Sequence, residues 1–284
     1  MPAHKDLKRL IRARMARTGE SYSTARLRIV GPRAGTEGDH AMIVTTGIED
    51  GRRLVTLTEV PRAYTHNLVR GLDFVRDGGR FTWEYPADAP CWDAAARNWE
   101  RDGAEMLDQA HGVRPVDWEA GLAWIASILD EQGADWFVIG SAAMAVRGLD
   151  VAPGGVDIAM DEPAADRLMP HVADGVLQPI VDMGDWPVAT RKGHLFHGCA
   201  IWTIAGMKEQ PTRPTLWDAA ARASLDTVTW RDREVRLPPI ELQLLYARMM
   251  FRNDHVRAIN AYLATTPASP ASSSPSGGPP GRLT

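Results

Sequence analysis

Apolar residues recur at helical spacing in WEAGLAWIASILDEQG, where Trp118, Leu122, Ile125 and Leu129 fall on one face. Asp117 stands ahead of them as an N-cap and Gly133 behind them as a stop, so a helix is predicted between the two. The unbroken run WFVIG then reads as a buried strand, SAAMAVRG as a short helix and VDIAM as a second strand, with Asp161, Glu162 and Pro163 opening another helix. Further strand patterns lie at GVLQPIVDM, PVATR, HLFHGCAIWTIAG, DTVTW and VRLP, and the helices PIELQLLYARMM and DHVRAINAYLA close the series.

Upstream the texture differs. LRIV, HAMIVTT and RLVTLTEV alternate as strands do, and GIEDGR between the last two predicts a hairpin. A helical stretch around Tyr64 to Val75, the strand RFTWEY and a helix from about Cys91 to Gln109, with Trp92, Ala95, Trp99 and Met106 on one face, complete a small α+β unit over residues 30–115. Its aromatics read as core, and it carries no catalytic signature. Residues 1–29 form a basic amphipathic arm with Leu7, Leu10, Ile11 and Met15 at helical spacing. It reads either as a nucleic-acid- or protein-binding element or as a solvated helix docked on the body. Residues 265–284, rich in Pro, Ser and Gly, are expected to be a disordered tail, which leaves 117–264 as the main domain.

A formal charge of −4 argues against indiscriminate coating of nucleic acid. Cys91 and Cys199 are far apart with no CxxC spacing and no secretory leader precedes them, so two reduced thiols and a cytoplasmic location are expected. No apolar run reaches the length of a membrane span. Walker-type and GxGxxG loops are missing. His194, His197 and Cys199 lie close together, but no fourth zinc ligand accompanies them, and they read as structural residues.

Alternation along the strand at 156–160 sends Val156, Ile158 and Met160 into the core and Gly155, Asp157, Ala159 and Asp161 to the other face. Gly140 and Ser141 sit at a strand-to-helix junction, where free amide groups favour a phosphate, and Arg147 is a nearby cation able to steer one.

The stretch VIGSAAMAVRGLDVAPGGVDIAMDE, residues 138–162, resembles the nucleotidyltransferase superfamily related to DNA polymerase beta, and within it the small bacterial members. The motif is an apolar strand, Gly-Ser, about a dozen residues and an acidic pair on the next strand, and the resemblance covers roughly Trp118 to Leu263. It implies an α+β fold with a mixed sheet and flanking helices. It also implies binding of a nucleoside triphosphate with magnesium and transfer of a nucleotidyl group to a hydroxyl acceptor. Gly140 and Ser141 match the phosphate-binding pair, and Asp157 matches the second acid of the metal-binding and catalytic pair. Gly155 stands where the first acid belongs, and Trp202 or a neighbour where a third is expected near Ile201 to Thr203; Asp161 and Asp150 are the nearby carboxylates left to help hold a metal. Two readings follow: a transferase with a reduced metal site, or an impaired relative that serves as a nucleotide-, protein- or nucleic-acid-binding module.

Overall fold

A computed structural model describes residues 42–182, 189–207, 222–249 and 251–265, so the basic arm, the LRIV run and the tail beyond Thr265, itself the last residue of a helix, lie outside the described residues. The fold is mixed α+β. In the front unit, β1 (Ile43–Glu49) and β2 (Arg52–Thr58) pair antiparallel through Asp50 and Gly51, both at positive φ, the two-residue turn that matches strand twist. A short helix α1 (Thr65–Gly71) leads to β3 (Val75–Asp77) and β4 (Arg80–Tyr85), giving the sheet order β1-β2-β4-β3. The helical pattern expected up to Val75 ends early, and the wholly exposed β3, which pairs with β4, takes over its last residue.

Helix α2 (Trp92–Ala110) joins this unit to the rest of the chain. Trp99 is fully buried and donates its indole N–H to the Leu177 carbonyl at 2.8 Å. Its neighbour Asn98 donates to the Ala173 and Val176 carbonyls at 2.8 and 2.9 Å. One apolar cluster accordingly runs from Val55, Leu57, Phe74 and Phe81 through Trp99 to Leu177, Phe196 and Ala200.

The second half begins with α3 (Trp118–Glu131), capped by Asp117, whose carboxylate accepts from the Ala120 amide at 3.1 Å. There follow β5 (Trp136–Ile139), α4 (Gly140–Val146), β6 (Val156–Met160), α5 (Glu162–Leu168), β7 (Val176–Asp182), β8 (Ala189–Phe196) and β9 (Ala200–Met207). The hairpin β10 (Asp226–Trp230) and β11 (Arg233–Leu237) and the helices α6 (Ile240–Met249) and α7 (Asn253–Thr265) complete it. The run HLFHGCAIWTIAG, read as one strand, is two: His197–Cys199 reverses the chain with Gly198 at φ +68°, and the first three residues extend β8.

The five-stranded sheet has the order β5-β6-β9-β8-β7, with β6 and β9 parallel and the other pairs antiparallel. On one face Leu122, Ile125 and Leu129 of α3 meet Val138, Val156, Ile158 and Ile201, as the helical stripe predicts. The opposite face has two covers. Leu242 and Tyr246 of α6 lie over Phe137, Ile139 and Ala159, while the front unit lies over β7, β8 and the start of β9. Asp157 falls on this second face.

Candidate functional site

Strand β5 ends on Ile139, which pairs with Asp157, and the chain turns at once into α4. Gly140 makes that turn at φ +68°, and a Cβ there would collide with Oδ2 of Asp157. Glycine is therefore required twice, for its left-handed backbone and for the close approach of the carboxylate. Asp157 thus rests against the Gly140–Ser141 bend, and the motif residues that are far apart in sequence are neighbours in space.

The Asp157 carboxyl is pushed up to about 6, chiefly by burial, with the Arg252 guanidinium pulling the other way. Tyr246 is raised, first by burial and then by the charge of Asp157. Tyr246 comes from α6 and Arg252 from the turn into α7, two elements read from the sequence only as closing helices. Nothing in their local pattern marked them as neighbours of Asp157.

The positions where further acids are expected are filled differently. A Cβ at Gly155 would lie 2.6 Å from the Ala200 carbonyl oxygen, so the backbone of β9 occupies the space of any side chain there. Trp202 stands beside Asp157 in the parallel β6–β9 register. Its ring stacks on His194, with centroids 4.2 Å apart and planes 16° from parallel, and the Lys192 ammonium lies 4.6 Å from its centroid.

Two predicted residues are not brought to the bend. Arg147 sits at the far end of α4 with its side chain only 9% exposed. It bonds to the Pro238 carbonyl at 2.7 Å and Asp226 at 2.9 Å, tying α4 to the β10–β11 hairpin. Asp161 caps α5, accepting from the Ala164 amide at 3.2 Å. Four residues along an extended chain separate it from Asp157 by about 13 Å, too far for one shared ion. It lines instead a cavity of about 240 Å³ with Asp135, Glu162 and Arg222. Asp150 is exposed.

Magnesium requires several oxygen donors in near-octahedral geometry, and Asp157 is the one motif acid at the bend. Among the described residues no group of three His, Cys, Asp or Glu is placed to hold a metal ion, so the donor set does not fit a two-magnesium centre. The histidines and cysteine of the 194–199 stretch also diverge. His197 stacks on Trp124, His194 on Trp202, and the buried Cys199 thiol is pushed up to about 12, mainly by burial.

No protein-family model matches the chain, and no curated protein does. A solved structure from Thermotoga maritima, described as that of a "putative nucleotidyltransferase", is similar at 16% identity, covering 55% of this chain and 99% of that one with a TM-score of 0.39. No helix among the described residues is long and apolar enough to cross a membrane.

Proposed function

We propose that residues 117–264 form a nucleotidyltransferase-like unit that has lost metal-dependent transfer and serves as a binding module. The observation that carries this reading is the pair of replacements flanking Asp157. The β9 backbone packs into the place of a side chain at 155, and the Trp202 indole occupies the position beside Asp157 on the neighbouring strand. One carboxylate plus substrate phosphates holds magnesium weakly and fixes no second ion in line with the attacking hydroxyl. An ionised Asp157 against Gly140 also repels a phosphate brought to the same bend without a metal.

The transferase reading has one observation in its favour, the direct contact of Asp157 with the phosphate-type bend. Incubation with each of the four ribonucleoside triphosphates, with magnesium or with chelator, separates the two. The module reading expects no magnesium-dependent pyrophosphate above the level of an Asp157→Asn variant. Magnesium-dependent pyrophosphate release that this substitution removes would establish the transferase instead.

A further inference from the structure

Stacked on the Trp202 indole lies a buried histidine. His194 is 1% exposed, and neither ring nitrogen finds a hydrogen-bond partner among the described residues. Such a ring is tolerated as neutral imidazole stacked on an aromatic, but an imidazolium there would carry two N–H donors with nothing to accept them.

The groups around it come from both halves of the molecule. Its own strand contributes Lys192, a second cation; β9 contributes the uncharged Trp202; β7 contributes Gln178, paired opposite it. From the front unit, Asp73 lies 3.8 Å from the Lys192 ammonium, which also donates to the Gly71 carbonyl at 3.3 Å, and the Leu72 carbonyl accepts from Gln178 at 2.9 Å. Helix α2 contributes Asn98 and Trp99, both bonded to backbone at the β7 end, and the cation Arg101, bonded to the Asp174 carbonyl just before β7. Gly71–Asp73 and α2 together therefore close the front unit over His194 and Trp202, which pair across β8 and β9.

We propose that His194 is a proton-sensitive latch between the front unit and the five-stranded sheet. While neutral it lets the Gly71–Asp73 segment and α2 stay closed; once protonated, it is compatible only with a state in which they have lifted and water reaches the ring. Opening uncovers Trp202, the neighbour of Asp157 on the next strand. Burial, and to a lesser degree Lys192, hold the closed-state ring down to about 3, against the ordinary value of 6.5 that a hydrated ring recovers. Between these values the open state binds a proton that the closed state does not. Its population relative to the closed state then rises about tenfold per pH unit, or about 30-fold from pH 7.5 to pH 5.0. This inference does not depend on the loss of catalysis argued above.

The test is amide hydrogen exchange, corrected for intrinsic rates, over 176–182 and 189–196 in the full chain and in His194→Phe, which keeps an aromatic ring but cannot titrate. Wild-type protection is expected to fall about 30-fold between pH 7.5 and 5.0 relative to the variant at the same two pH values. An equal fall in both proteins, or none in the wild type, overturns the proposal. Proton NMR of wild-type histidine rings is a second readout that needs no variant. A His194 ring silent down to pH 5 in the closed protein supports the latch, and one titrating near 6.5 with the front unit still closed refutes it.

Discussion

Replacing Gly155 by aspartate puts back the acid that the motif leads one to expect, and the structure predicts damage rather than activity. The Cβ would lie 2.6 Å from the Ala200 carbonyl oxygen, well inside an ordinary contact. That oxygen cannot retreat freely, because the next residues, Val156 and Ile201, are partners in the β6–β9 ladder. Overpacking of this kind costs about 1–3 kcal/mol. For a chain of this size each kcal/mol is worth about 2–4 °C in Tm, so a fall of roughly 2–12 °C is expected. Gly155→Ala separates the causes: the Cβ alone makes the clash, so alanine should lose most of what aspartate loses. Thermal unfolding followed by circular dichroism reads both variants. Wild-type stability in Gly155→Asp, together with new magnesium-dependent pyrophosphate release, would refute the reasoning by showing that the space for a second acid exists.

Asp157→Asn should stabilise the protein near neutrality. The folded carboxyl sits at about 6 against an ordinary 3.8, so the native state binds the proton more readily; the wild type is favoured below 3.8 and loses that advantage as pH rises through 6. A shift of about two pH units is worth at most ~3 kcal/mol, and because Asp157 as a whole residue is only half-buried, solvent screening reduces this to about 1–2 kcal/mol. The variant should therefore gain stability at pH 7.5 and nothing at pH 4, and a loss at pH 7.5 alone would contradict the sign. Trp99→Phe keeps most of the ring but leaves the buried Leu177 carbonyl without its donor, which should cost about 1–3 kcal/mol in urea unfolding at pH 7.5; an unchanged midpoint would mean that this bond does not help join α2 to β7.

Much of the fold was legible because its signals are local. The stripe Trp118, Leu122, Ile125 and Leu129, the run at β5, and the inward set Val156, Ile158 and Met160 each follow from the period of their own element. The meeting of Gly140 and Asp157 was legible for a different reason, since motif spacing encodes a contact between adjacent strands. Alternation showed which way Asp157 and Ala159 point but not what lies over them, and α6, more than eighty residues downstream, covers Ala159. Arg147 and Asp161 were drawn to the site by proximity in sequence, yet one binds a hairpin and the other caps a helix. The resemblance points to Trp202 at the third-acid position, but only the β8–β9 register shows that His194, read as a structural residue, stacks on it next to the site. The exposed β3 has no apolar periodicity to announce it.

The claim that Asp157 stands without a second metal-holding acid is tested most directly by titrating manganese, as a paramagnetic stand-in for magnesium, into the protein with ATP and following free manganese by electron paramagnetic resonance. The expected result is that free manganese falls only as far as ATP alone takes it, equally for the wild type and for Asp157→Asn. A saturable manganese site on the wild-type protein that the asparagine variant lacks would contradict it.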